Sequence, residues 1–361
     1  MKILYLATDV YGANGGIAQF NRDSIRAISQ YDLCSQLIVL PYHLHGSAPP
    51  YPRLEFSPPA VSGNRAAYIR HALSKVSSLG KKDLIICGHI SFAPLAYLMH
   101  LLSGAPFVLV IYGIDAWGKN KNPIMNFFSA KASALISISE FTKDNFLSWC
   151  RFKNKKYILP CSIDMNTFSP GPKNQKLADR YHLHGKKIIL TLARLASPER
   201  YKGIDEILEI MPELLRSIPE LVYVIAGEGD DRLRLEAKSR KLGIADEVIF
   251  TGFVREEEKA DYYRLSDLFA MPGRGEGFGI VYLEAIACGT PALGSKLDGS
   301  KEALMDGKLG ILVNPDSRTE LIEGILRGLA SPKGQAPEKL NYFNFEIFSD
   351  RLRQILSNFS S

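Results

Sequence analysis

This chain lacks the makings of a metal or disulfide framework. Its 361 residues include five cysteines, Cys34, Cys87, Cys150, Cys161 and Cys288, odd in number and never spaced C-x-x-C. Such usage excludes a disulfide scaffold, makes a structural zinc site a poor expectation, and suits a reducing compartment. Long apolar runs are missing too. The longest, Phe92 to Tyr112, is interrupted by His100, Ser103, Gly104 and Pro106, whereas a membrane-spanning helix needs about 20 continuous apolar residues. Within that run a buried helix is expected over Pro94–Leu102 and a strand over Phe107–Ile111. The opening Met1-Lys2-Ile3-Leu4-Tyr5-Leu6-Ala7-Thr8-Asp9 meets an acidic residue too soon for a secretory leader and reads as a buried strand. A cytoplasmic location is the expectation. Neither half has G-x-G-x-x-G after a strand with an acid about 20 residues on, which counts against a nicotinamide oxidoreductase.

What is present is an ordinary globular composition, 46% hydrophobic and 23% charged, neither disordered nor collagen-like. At roughly 150 residues per domain the length suggests two domains. The formal charge of +6 is unevenly spread: residues 1–165 hold 17 Lys+Arg and 9 Asp+Glu, residues 166–361 hold 27 and 29. The basic excess therefore lies in the first half, much of it in Asn64–Lys82 and Arg151–Lys156. A merely solvated basic surface is one reading. The other is an anionic partner, either a phosphate-bearing acceptor or an anionic membrane surface on whose inner face the protein would sit peripherally. Nucleic acid is not expected, because no binding module accompanies the charge.

Short apolar runs alternate with amphipathic segments. Strands are expected at Ile3–Ala7, Gln36–Leu40, Leu84–Cys87, Phe107–Ile111, Ala134–Ile138 and Lys156–Ile158, with helices at Gly16–Ser29, Asn64–Ser78 and Glu140–Trp149. The breaker-rich Phe168-Ser169-Pro170-Gly171-Pro172-Lys173 is the expected linker. Strands then resume at Lys187–Leu192, Leu221–Ala226, Val248–Thr251, Leu268–Met271, Thr290–Gly294 and Gly310–Val313. Continuous apolar strands separated by helices imply parallel sheets covered on both faces. The expected class is α/β: two doubly wound, Rossmann-like domains, 1–165 and 166–341, facing across a cleft, with ligands beyond the carboxyl ends of the strands. The tail, 342–361, is amphipathic at helical spacing and either caps its own domain or crosses back to pack on the first.

Chemistry concentrates in Pro272-Gly273-Arg274-Gly275-Glu276-Gly277-Phe278-Gly279-Ile280-Val281-Tyr282-Leu283-Glu284-Ala285. Glycines between an apolar strand and an apolar helix expose backbone N–H groups at a helix N-terminus, which is an anion site. Glu276 precedes that turn and Glu284 lies roughly two turns inside the helix. Two carboxylates around a phosphate-binding turn suit a ligand with hydroxyls at both ends and phosphates between, the layout of a nucleotide sugar. A glycine-rich turn with two solvated glutamates is the plain alternative.

Glu276 and Glu284, with seven residues between them, resemble the E-x7-E motif of the retaining GT-B glycosyltransferases, and of their family 4 (glycosyl transferases group 1) above all. The similarity extends over nearly the whole chain. Tyr11-Gly12-Ala13-Asn14-Gly15-Gly16-Ile17-Ala18 is similar to the glycine-rich loop after the first strand, and Arg194-Leu195 with Tyr201-Lys202-Gly203 to the paired basic donor site. Ile225-Ala226-Gly227-Glu228-Gly229, Phe250-Thr251-Gly252-Phe253-Val254 and Ala287-Cys288-Gly289-Thr290-Pro291 match later landmarks.

The resemblance implies a GT-B fold with an acceptor-binding first domain and a nucleotide-sugar-binding second domain. It implies a retaining, metal-independent transfer of a hexose, of glucose or mannose type, from a UDP- or GDP-linked donor to a hydroxyl of a glycan or lipid-linked acceptor, in bacterial-type surface polysaccharide or glycolipid synthesis. By the same resemblance Arg194 and Lys202 would bind the diphosphate and stabilise the departing charge, work that suits a guanidinium and an ammonium. Gly15 and Gly16 would let the backbone approach the phosphates. Glu276 would face the transferred sugar, the Gly277-Phe278-Gly279-Ile280 backbone would hold sugar and phosphate, Glu284 would bind the ribose, and the base would lie near Val254. No cofactor besides the donor is implied and no metal, and the sequence has no obvious D-x-D-type site.

Two departures stand out. Many relatives carry a His after the strand that here ends Val110-Ile111; this chain has Tyr112, which hydrogen-bonds but does not charge near neutral pH. Asp115 is then the polar candidate beside the reacting sugar, or else a turn-stabilising Asp. The interval from Arg194 to Lys202 is also longer than the resemblance leads one to expect, so Arg200 competes for the phosphate role. His89, after a buried strand, would meet acceptor together with Tyr112, or be a satisfied core histidine. Readings other than a transferase are a non-catalytic nucleotide-sugar-binding module and a GT-B-fold epimerase or phosphorylase.

Overall fold

Apolar runs too short for helices become strands covered on both faces, and the computed structural model, which describes residues 1–118 and 122–360, arranges them in two parallel sheets. Two units carry these sheets: Met1–Ser162 together with Phe345–Ser361, and Ile163–Asn344.

In the first unit the strands are β1 (Lys2–Ala7), β2 (Gln36–Pro41), β3 (Leu54–Phe56), β4 (Leu84–Cys87), β5 (Phe107–Ile111), β6 (Ala134–Ser137) and β7 (Lys155–Ile158), in the order β3-β2-β1-β4-β5-β6-β7. The helices are α1 (Gly16–Ser29), α2 (Arg65–Ser74), α3 (Ala93–Ser103), α4 (Pro123–Ser129) and α5 (Glu140–Leu147). Leu4, Leu6, Ile85, Phe107, Leu109 and Ile111 are wholly buried in one core. α1 buries Ala18, Asn21, Ser24, Ile25 and Ile28 at helical spacing.

The second unit holds β8 (Lys187–Leu192), β9 (Leu221–Ala226), β10 (Val248–Gly252), β11 (Leu268–Ala270), β12 (Ala292–Ser295) and β13 (Ile311–Val313), in the order β10-β9-β8-β11-β12-β13. Its helices are α6 (Gln175–Arg180), α7 (Ile204–Ser217), α8 (Arg232–Lys241), α9 (Lys259–Leu265), α10 (Ile280–Ala287), α11 (Ser300–Ala303) and α12 (Arg318–Leu329). The last helix, α13 (Phe345–Ser357), packs on α1 of the first unit. Phe348 meets Phe20 edge-on at 5.5 Å and the Arg26 guanidinium lies 4.0 Å from the Phe345 ring centroid.

Both sheets reverse their strand order once, between β1 and β4 and between β8 and β11. Such a switch point opens a crevice at the carboxyl ends of its two strands, where doubly wound proteins place ligands.

Local expectations needed four corrections. β3 is an extra edge strand, three half-buried residues between Pro52 and Pro58, too short and polar to show an apolar pattern. The helix expected over Asn64–Ser78 stops at Ser74 and gives way to a 3₁₀ turn at Val76–Ser78. There a β-branched residue and serines weaken helix formation, and Ser78 Oγ donates to Lys75 O at 2.7 Å. The expected linker lies inside the second unit, where Arg264 Nε donates to Ser169 O at 2.9 Å. α3, expected to be buried, leaves Leu98, Leu101 and Leu102 exposed.

Candidate functional site

The loops that leave β8 and β11 flank the second unit's switch point, and they bring together most of the charged residues singled out above. After β8 the chain passes Arg194 and winds through a 3₁₀ segment, Ser197–Lys202, before α7. Gly203 begins that helix at φ 84, where an added Cβ would stand 2.4 Å from Pro272 O. Only glycine lets the two loops press so closely. The contact is reinforced by Arg274 N–H donating to Tyr201 O at 2.8 Å.

Arg194 and Lys202 share one carboxylate. Glu199 accepts from the Arg194 guanidinium and from Lys202 Nζ, the latter at 2.7 Å. These cations hold the Glu199 carboxyl below its usual range, against the opposing effect of burial. Two positive charges on one negative leave the cluster cationic. Arg200, the competitor for the phosphate role, is instead tied to Asp231 by Nε at 2.9 Å and by Nη2 at 2.8 Å. Asp231 also binds Arg234, which pairs with Asp205.

Across the switch point the glycine-rich turn ends at Gly279, φ 87, and α10 starts at Ile280. The turn hangs on Asp298, a buried carboxylate that accepts from Glu276 N–H at 3.0 Å, from Ser300 N–H at 3.1 Å and from Ser300 Oγ at 2.6 Å. Glu276 is half-buried, and burial pushes its carboxyl up, while Lys202 and the backbone N–H groups of Gly277 and Phe278 pull it down. The Phe278 side chain points into the core, 5.7 Å from Phe343, so that only its backbone faces the turn.

Glu284 departs from the picture of an open carboxylate. It is 3% exposed, accepts from Tyr263 Oη at 2.7 Å and stands 3.5 Å from Lys259 Nζ. Burial raises its carboxyl, and Lys259 is the largest opposing influence. The Val254 side chain is buried as well, while the neighbouring Phe253 ring is 55% exposed.

The remaining candidates belong to the first unit. Gly15, φ 106, is the N-cap of α1 and Gly16 its first residue, both after β1. His89 follows β4, and its Nδ1 accepts from Ser91 N–H at 3.1 Å. Burial lowers its pKa. Tyr112 needs a correction: it was expected to meet acceptor, but it is 5% exposed. Its hydroxyl donates to Asn21 Oδ1 at 2.9 Å, beside Tyr5 Oη at 2.7 Å from the same oxygen. This phenol completes a core network. Asp115 lies in a 3₁₀ turn, Ile114–Ala116, after β5. Burial pushes its carboxyl up to about 7 against the hydrogen bonds from backbone N–H groups, Gly113 first among them.

Sequence reasoning passed over Glu199, Asp298 and Lys259. Glu199 and Lys259 sit among other charges and carry no motif. Asp298 had a readable signal, an Asp-Gly-Ser run directly after a parallel strand. Among the described residues no group of three or more His, Cys, Asp or Glu is placed to hold a metal ion.

Residues 174–344 match the model of the family described as glycosyl transferases group 1. A GDP-mannose-dependent alpha-(1-6)-phosphatidylinositol monomannoside mannosyltransferase from Mycolicibacterium smegmatis is 32% identical over 213 residues, 57% of this chain and 55% of that protein. An alpha-D-kanosaminyltransferase from Streptomyces kanamyceticus is 26% identical, with 68% of this chain and 66% of that protein aligned. The chain thus spans about half the length of the first of these relatives. In three dimensions it is similar to Anabaena Alr3699/HepE in complex with UDP and glucose, with a TM-score of 0.77, 20% identity and 99% of each chain covered.

Proposed function

We propose, from the match of residues 174–344 to the glycosyl transferases group 1 model and the GT-B fold, that this chain transfers a hexose from a nucleoside diphosphate sugar to an acceptor hydroxyl with retention of configuration. The observation that carries this reading is the convergence of Arg194 and Lys202 on Glu199 beside the Glu276–Ile280 turn. A diphosphate would displace Glu199 from the two cations and take up the turn's backbone N–H groups. In the reaction, negative charge grows on the departing phosphate oxygen. Arg194 and Lys202 stabilise that charge, doing without a metal what a divalent ion would otherwise do. The acceptor hydroxyl attacks from the face the leaving group vacates, and its proton passes to the departing phosphate. Glu276 fixes the sugar's hydroxyls. Glu284, beside Lys259, accepts from the ribose hydroxyls, and the exposed Phe253 ring offers a face to the base.

The mannosyltransferase relative is GDP-mannose-dependent, and a structural neighbour is solved with UDP and glucose. Glucose and mannose donors on UDP or GDP are therefore the panel to try, with glycan and lipid-linked acceptors. The test is proton NMR of the product formed from UDP- and GDP-hexoses in the presence of a chelator. An α-linked product from an α-linked donor is expected. A β-linked product, or turnover only with added divalent metal, would overturn the retaining, metal-independent reading.

A further inference from the structure

α3 presents apolar residues on two faces. Ala93, Leu95, Ala96 and Met99 face the core, while Leu98, Leu101 and Leu102, one stripe at i, i+3 and i+4, stand 41, 61 and 62% exposed. α4 repeats the pattern with Ile124 and Phe127, 60 and 52% exposed. Tyr97 joins the two stripes, its ring 6.3 Å from Phe127 and 5.7 Å from Phe128. Contiguous apolar ridges of this kind mark interaction sites, because an ordinary surface scatters such residues singly.

The charge around the ridge says what it fits. Residues 84–139 contain one acid, Asp115, and neither α3 nor α4 has any. Cations stand at the rim. Lys131 Nζ lies 5.0 Å from the Phe127 ring centroid, and the Lys81 stem runs against Gly104 at the end of α3. Asn126 Nδ2 donates to Trp149 O at 2.9 Å and Asn154 Nδ2 to Ala132 O at 2.7 Å. These bonds tie the segment from Trp149 to Asn154, which carries the exposed Arg151 and Lys153, to α4 and the turn after it. An apolar ridge with a cationic rim matches the boundary of an anionic bilayer, apolar side chains at acyl depth and ammonium groups among the phosphates.

We propose that the α3–α4 face docks on an anionic lipid surface, with Leu98, Leu101, Leu102, Ile124 and Phe127 entering the boundary and Lys131 and Arg151 meeting the headgroups. The proposal does not depend on the transferase reading. Co-sedimentation with phosphatidylcholine vesicles, with and without roughly one third phosphatidylglycerol, tests it. The protein should pellet with the anionic vesicles at low salt, and L101E/L102E should weaken that binding at least about tenfold while keeping the parent's melting temperature. Should that variant fail to fold, the F127W variant carries the test: its emission should shift to the blue with anionic vesicles and be quenched by lipids brominated along the acyl chain. The proposal is overturned if the parent stays in the supernatant, if L101E/L102E folds and binds as the parent does, if F127W emission ignores the vesicles, or if sedimentation velocity shows the ridge sealed in a dimer that L101E/L102E dissolves.

Discussion

The two sheets are wound alike, yet their switch points are furnished differently. In the second unit the loops after β8 and β11 carry Arg194, Glu199, Lys202 and Glu276, charges held in place by one another. In the first unit the corresponding loops, after β1 and β4, offer Gly15, Gly16 and His89, with Asp9 paired to His45 at 3.1 Å and Arg22 donating to Val10 O and Ala13 O. Ion pairing follows the same division. Asp205, Asp231, Arg200, Arg234 and Lys238 form a continuous network in the second unit, whereas residues 1–165 hold 17 basic residues against 9 acids. One topology thus carries two differently furnished crevices: one lined by cations and carboxylates that hold one another, the other lined mainly by glycines and a half-buried imidazole.

The largest expected effect would come from breaking the charged site. Lys202→Ala should lower turnover by about 10²–10³-fold, the scale on which electrostatic stabilisers of a leaving group act, with an unchanged melting temperature. Near-parental turnover would hand the role to Arg200, whose pairing with Asp231 argues against it. In the first unit the strongest effect should be on stability. An unfolded Asp115 ionises near 3.8 and the folded one near 7. Between those values the folded chain holds a proton that the unfolded chain has released, so this carboxyl's contribution is full below about pH 4 and is lost as pH rises towards about 7. The whole loss should be about 4 kcal/mol, about 3 of it between pH 4.5 and 8, and Asp115→Asn should flatten that part of the stability profile measured by urea unfolding.

Glu284→Ala should weaken binding of free nucleoside diphosphate by about 1.5–3 kcal/mol, the worth of a hydrogen bond to a charged group. Glu276→Ala should spare that affinity and lower turnover; equal losses of affinity in both variants would erase the distinction between the two carboxylates. The smallest effect is expected of Tyr112→Phe, about 1 kcal/mol of stability from the lost bond to Asn21, with acceptor KM unchanged. A raised KM alone would return Tyr112 to the site.

The parallel sheets were legible because continuous apolar runs such as Leu221–Ala226 admit few other structures, and α1 was legible to its ends because Gly15 opens it and polar Gln30 follows it. β3 was not, since an edge strand of three residues gains little from burial and leaves no pattern. In the site, Glu276 could be named from the glycine-rich turn before an apolar helix, and Arg194 and Lys202 from the family resemblance, but their partners could not. Glu199 acts through a 3₁₀ turn that folds it under both cations, and Asp298 acts from a loop 22 residues after the N–H it receives. Such contacts depend on how loops meet at a switch point. Tyr112 was misplaced for a related reason: sequence shows that a phenol follows β5, but not that Asn21 on α1 waits for its hydroxyl.

Titration calorimetry of UDP and GDP, with a chelator present, addresses the charged crevice most directly, using the parent chain and the Arg194→Ala/Lys202→Ala double variant. One of the two nucleotides should bind the parent without metal, and the double variant, folded by its melting curve, should bind it at least about 100-fold more weakly, a loss of about 2.7 kcal/mol. Binding of equal strength in parent and double variant would contradict the assignment of the diphosphate to Arg194 and Lys202.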